Sequence, residues 1–146
     1  MHFMNIGENS MNIEEALQKY QPENAQEIGD YEQYHKLIRE ETQLLTRANI
    51  DYHFSVSAWI VNVAKEKVLL AYHKQYQSFT WLGGHLDGNP NALDVIYQEI
   101  IEESGLCKVH LLQKDIFSFE ILNVKAHQKK RSAGAITQAY QCDLCV

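Results

Sequence analysis

Three glutamates, Glu99, Glu102 and Glu103, fall within five residues. On a helix, positions three and four apart share one side, so the three carboxylates would converge. Like charges at these spacings cost a helix roughly 0.2 to 0.5 kcal/mol per pair. Anions in a helix's last turns oppose its dipole by roughly 0.3 to 1 kcal/mol each. A solvated acidic face can tolerate that cost, and most charge runs are such faces. A hard divalent cation reverses the sign of both contributions, because Mg²⁺ is commonly held by one or two carboxylates together with substrate phosphate and water. The spacing leaves both readings open.

Either reading needs a helix. Asn89 is a good N-cap, Pro90 suits the first helical position, and Gly105 can stop the chain in a left-handed conformation, so a helix is expected from about Pro90 to Ser104. Leu93, Ile96, Ile100 and Ile101 supply its apolar stripe. Ahead of it, "WLGGHLDGN" carries Gly83, Gly84 and Gly88 and reads as a shaped loop that permits close backbone approach.

Loop and helix together resemble the Nudix box, G-x5-E-x7-R-E-U-x-E-E-x-G-U, in which U is a bulky aliphatic residue. Gly84, Glu99, Ile100, Glu102, Glu103, Gly105 and Leu106 match without insertion. The run from Gly83 to Gly88 is similar to the "GGHxDG" loop of some Nudix proteins. Two positions depart: Pro90 stands at the first glutamate and Gln98 at the arginine, a pair that in the family supports the loop-helix geometry.

The resemblance implies an α/β/α sandwich with a mixed sheet. It also implies a Nudix-type hydrolase acting on a small-molecule diphosphate, most readily a nucleoside diphosphate derivative. Glu99, Glu102 and Glu103 are the expected catalytic carboxylates and, with the carbonyl of Gly83, the expected ligands of Mg²⁺ or Mn²⁺. His73 and Lys74 stand where Nudix enzymes often place a cation near substrate phosphates. Trp81, with Phe79, could flank a flat substrate group, and His85 could touch phosphate; exposed strand-end positions, core packing and loop bracing are the plainer roles for these residues. Pro90 and Gln98 favour an alternative, a catalytically weakened Nudix-fold ligand-binding or regulatory module.

The remaining chain sets the frame for that box. Its 146 residues suit one domain, and a net charge of −6 argues against polymeric nucleic acid as a partner. No apolar run approaches a membrane span and the start lacks basic and apolar signal regions, so a cytoplasmic location is expected. Cys107, Cys142 and Cys145 are expected as reduced thiols, with the C-x-x-C pair incidental. Residues 1–51 read as a mostly helical N-terminal extension. Asn12 with Glu15 caps one short helix ending before Pro22, and Asp30 with Gln33 opens a longer one to about Arg47. Packing on the sheet is its expected role, with a lid or homodimer contact as the alternative.

The Nudix-like domain then spans 52–146, with strand-like pieces "HFSVSAWIVNV", "VLLAYHK", "SFTWL", "VHLLQ" and "IFSFEILNVKA". Only forty residues, Cys107 to Val146, follow the box, and "SAGAITQAYQCDLCV" shows no clear helix or strand pattern. The domain is therefore expected to be truncated at its C-terminus.

Overall fold

Asparagines start both N-terminal helices. Asn12 accepts the backbone N–H groups of Glu14 and Glu15 at the start of α1 (Ile13–Lys19), and Asn24 accepts that of Glu27 at the start of α2 (Ala25–Glu40). These bonds satisfy donors that a helix leaves unpaired at its first turn. The second helix thus begins and ends earlier than the Asp30 to Arg47 span expected from sequence. Asp30 does not cap it, because its carboxylate accepts the N–H of Ile121 at 3.1 Å. At Glu41 the backbone turns extended, and Gln43 has φ 59°, so the segment 41–51 is a loop. A computed structural model of the protein describes residues 10–124 and 131–142, with side chains through Leu122.

The strands are β1 (Tyr52–Asn62), β2 (Val68–Leu69), β3 (Ala71–His73), β4 (Ser78–Thr80), β5 (Leu82–His85), β6 (Val109–Leu111), β7 (Ser118–Val124) and β8 (Arg131–Cys142). Helix α3 (Ala92–Ser104) lies between β5 and β6. Along β1, β5 pairs antiparallel at Ser55 to Ala58 and β2 at Ile60 and Val61. On its other side β8 runs parallel over the full register, from Tyr52 opposite Ser132 to Asn62 opposite Cys142. β7 and β6 then pair antiparallel with β8. The result is a six-stranded mixed sheet, with β3 and β4 forming a separate hairpin.

Three readings from sequence are corrected here. The stretch from Arg131 to Cys142, which shows no strand pattern, is a strand bonded on both sides. Its Ala, Gly, Ser and Gln content hides the signal, since propensity scales register strands through β-branched and aromatic residues. Cys145 lies outside the described residues. "VLLAYHK" divides between β2 and β3, which belong to different sheets. The glycine pair is not in a loop; Gly83 and Gly84 are the middle of β5.

One core joins sheet and helices. Phe54, Val56, Ala58 and Ile60 alternate along β1 and are buried with Leu82, Phe119 and Val109 from neighbouring strands, as the two-residue period of a strand requires. Ile96 and Ile100 of α3 meet them, as do Ile13 and Leu17 of α1 and Tyr34 of α2, so the N-terminal helices belong to this same core. Ile101, expected on the buried stripe, is 39% exposed, because the arc of α3 facing the core is filled by Leu93, Ile96 and Ile100. Among the described residues no helix is long and apolar enough to cross a membrane.

Candidate active site

The site is built where β5 runs beneath α3. Each of the two glycines serves a different neighbour. A Cβ on Gly83 would overlap the carbonyl oxygen of Val56 and stand 2.9 Å from Ser57 Cα, so only glycine lets β5 close on β1 there. A Cβ on Gly84 would overlap Oε1 and Cδ of Glu99 and stand 3.0 Å from its Cγ. The space a side chain would fill is occupied by the Glu99 carboxylate. Glu103 is fixed from the same strand, its Oε2 accepting the N–H of Gly83 at 3.1 Å. That bond helps hold an anion at the end of α3 where the helix dipole disfavours it. Gly105 ends the helix as expected, at φ 72° with its N–H on Ile101.

Glu99 is only partly accessible, and its pKa is raised: burial is the first cause, followed by the charges of Glu103, Glu102 and Asp87. Three other carboxylates thus act on Glu99. They are not a ready-made ligand set. Among the described residues no three His, Cys, Asp or Glu side chains are grouped to hold a metal ion. Glu102 is exposed and its Oε1 accepts from Nε2 of Gln98 at 3.1 Å, while Glu103 is engaged by Gly83. Gln98, at the family's arginine position, thus bonds a neighbouring glutamate on its own helix.

The turn between β5 and α3 is held from the N-terminal side of the chain. Arg47 grips Asp87 bidentately with one guanidinium edge, Nε to Oδ1 at 2.7 Å and Nη2 to Oδ2 at 2.6 Å. The Arg47 hydrogen bond is the main cause of a lowered Asp87 pKa. Asp87 adopts φ 47°, and Gly88, at φ 92°, donates its N–H to the carbonyl of Leu45 at 2.8 Å. Farther along, the N–H of Ile13 bonds the carbonyl of Pro90, and that of Ala92 bonds the carbonyl of Met11, both at 3.0 Å. Asn91, not Asn89, is the N-cap of α3; its Oδ1 takes the N–H of Met11, and Pro90 lies before the helix. Sequence reading missed Arg47, Asp87 and His53. Asp87 stands inside the quoted glycine run, but its partner is forty residues away and no local pattern connects them.

His85 closes β5 and lies 4.9 Å, ring to ring, from His53 of β1. Although the residue is exposed, partial desolvation is the first cause of a lowered pKa, followed by its neighbours His53 and Arg47, while Asp87 works the other way. Trp81 enters β5 and is 38% exposed. His73 ends β3 and packs against Tyr76 at 4.5 Å, and Lys74 is exposed in the turn that follows. The structure thus brings Gly84 to Glu99 and Gly83 to Glu103, leaves Glu102 exposed on Gln98, sets His85 at the end of β5, and leaves His73 and Lys74 on the hairpin. Phe79 and Tyr72 face each other on that hairpin and are largely solvent-exposed, not core.

No protein-family model and no curated protein matches the sequence. Solved structures do. A crystal structure of a hydrolase of the Nudix family from Clostridium perfringens is 25% identical, covers 64% of this chain and 70% of its own, and superposes with a TM-score of 0.54. The chain has the Nudix fold. The Ap4A hydrolase of C. elegans is 18% identical over 63% of this chain and 69% of its own, with a TM-score of 0.46.

Proposed function

We propose that this Nudix-fold protein is a metal-dependent hydrolase of a diphosphate linkage, acting on a nucleoside diphosphate derivative or a similar small molecule. The observation that carries the reading is the seating of Glu99 in the space left by Gly84, under repulsion from Glu102, Glu103 and Asp87. On an acidic face spread wholly into water, Glu99 would leave the space above Gly84 to solvent; here its carboxylate fills that space. The fold and the family of the 25% identical neighbour support the same class of reaction.

The donor set fits a hard divalent cation, since carboxylate and carbonyl oxygens are what Mg²⁺ and Mn²⁺ prefer. Glu99, Glu102 and Glu103, with the Gly83 carbonyl, would hold it. Glu102 must leave Gln98 to do so, which is a rotamer change of an exposed side chain. When bound, such an ion neutralises diphosphate oxygens and lowers the pKa of water. The chain's own part is to seat Glu99 through Gly84, to orient Glu103 through the Gly83 N–H, and to present Trp81 and His85 beside the phosphates. His73 and Lys74 would meet the outer part of the substrate.

The test is metal-dependent phosphate release over a panel of nucleotide sugars, dinucleoside polyphosphates and NADH, with Glu102→Gln and Glu103→Gln as controls. Turnover that needs Mg²⁺ or Mn²⁺ and falls at least tenfold in both variants supports the reading. Gln98 and Pro90 at the positions of the family's charged pair favour a second reading, a ligand-binding or regulatory module. Tight binding of a panel member without turnover would establish that one instead.

A further inference from the structure

The family's loop-helix scaffold relies on a charged pair that this chain lacks, and the turn it would brace is held instead at Asp87, Gly88, Pro90, Asn91 and Ala92 by residues distant in sequence. Between Leu86 and Ala92 the segment preceding β1 supplies four partners, Arg47, Leu45, Met11 and Ile13, while Leu86 donates its N–H to Phe54 of β1 and Asn89 closes back on Leu86. Asp87 and Gly88 both adopt positive φ. For an aspartate that conformation is uncommon and persists where its surroundings fix it. The bidentate grip of Arg47 is the geometry in which arginine orients a carboxylate rather than merely neutralising it.

We propose that the N-terminal segment is the scaffold of the candidate metal site, with Arg47 as a positioning residue: its hold on Asp87, together with the Gly88 to Leu45 bond, fixes the turn that seats β5 against the carboxylates of α3. The inference about metal rests on the function proposed above; the inference about the turn does not. Arg47 touches neither substrate nor ion and acts through Asp87. Its charge alone would oppose a nearby cation, so the two roles differ in sign. Removing a positive charge near a cation site tightens cation binding by Coulomb's law, whereas releasing the turn loosens it.

The experiment compares wild type, Arg47→Met and Arg47→Lys as full-length chains, with thermal melts to establish that each folds. Hydrogen exchange of the Gly88 amide is measured without metal, and Mn²⁺ affinity by electron paramagnetic resonance with Mn²⁺ alone as probe. The Gly88 amide should exchange about tenfold faster in Arg47→Met, with amides of β1 unchanged, and Mn²⁺ should bind about fivefold more weakly. Arg47→Lys keeps the charge and loses the fork, so its affinity should also fall, by about two- to threefold.

Unchanged Gly88 exchange in Arg47→Met overturns the proposal, as does Mn²⁺ binding that is unchanged or tightened in either variant. If wild type binds no Mn²⁺, the proposed function falls. The scaffold role is then decided by exchange alone, upheld by faster Gly88 exchange and overturned without it.

Discussion

Gly83 and Gly84 are adjacent in β5 and identical in type, yet adding one methyl group to each should have opposite consequences. At Gly84 the obstacle is the far end of a flexible side chain, the carboxylate of Glu99. Glu99 can swing out, and leaving relieves both its burial and its repulsion by Glu103 and Glu102. Alanine also restricts the unfolded chain, a gain of about 0.4 to 1 kcal/mol where the backbone conformation permits it. Gly84→Ala should therefore stay within about 1 kcal/mol of wild type, or roughly 4 °C in Tm.

At Gly83 the obstacles are backbone atoms, the Val56 carbonyl oxygen and Ser57 Cα, within the β1–β5 pairing. Neither can turn aside, so Gly83→Ala should lose about 3 kcal/mol, the upper range for overpacking, and roughly 10 °C. Metal response inverts the order of damage. If wild type gains about 2.7 kcal/mol at a hundredfold excess of Mn²⁺ over Kd, a thirtyfold weaker site gains only about 0.9 kcal/mol. Melts with and without Mn²⁺ on the three proteins read all of these quantities. A Gly84→Ala protein with the full metal-linked gain would refute the assignment of Glu99, and a Gly83→Ala protein melting with wild type would refute the steric argument.

Other expectations follow from the same geometry. Pro90→Glu together with Gln98→Arg should improve stability or turnover by more than the sum of the single changes, because each new charge alone lacks its partner; additive effects in a double-mutant cycle would disprove the pairing. Glu27 ties α2 to the sheet, its carboxylate accepting from Ser118 Oγ at 3.1 Å and from the Glu23 N–H at 2.8 Å. Burial works to raise its pKa, but the bonds from Glu23, Tyr20, Ser118 and Asn24 together lower it. A depressed folded-state pKa contributes stability above the unfolded value that is lost as pH falls through the folded one. Glu27→Gln should thus cost about 1 to 2 kcal/mol at neutral pH, and its denaturation midpoint should converge with wild type in acid; a gap independent of pH would refute the account.

The carboxylate helix was legible because its information is local. Glu99, Glu102 and Glu103 occupy α3 and Gly105 caps it, and helical spacing with a terminal glycine is a pattern that a dozen residues suffice to express. The C-terminal strand was not, since Ser132 to Gln141 is a strand by virtue of the partners on both sides and not of its own composition. The glycine pair was misread for a related reason. Glycine signals close approach, but whether to a turn, a ligand or another strand depends on Val56 and Glu99, which lie far off in sequence. Arg47 was overlooked because a helix was extended through it, whereas the chain leaves the helix at Glu41 and loops, with the Asn49 side chain bonded back to Glu41 and Thr42.

The parallel pairing of β1 with β8 has a bearing on how the molecule comes to exist. Tyr52 and Ser132 are about eighty positions apart, and joining them requires closing a long loop before the contact can reward it; topologies rich in such contacts fold slowly. During synthesis β1 leaves the ribosome well ahead of its neighbour. Until β8 arrives, β1 has one open edge, and β6 and β7 lack their shared partner. Unpaired edges are templates for pairing with other chains. The nascent protein thus passes through a stage in which its own last strand competes with strangers for the middle of the sheet.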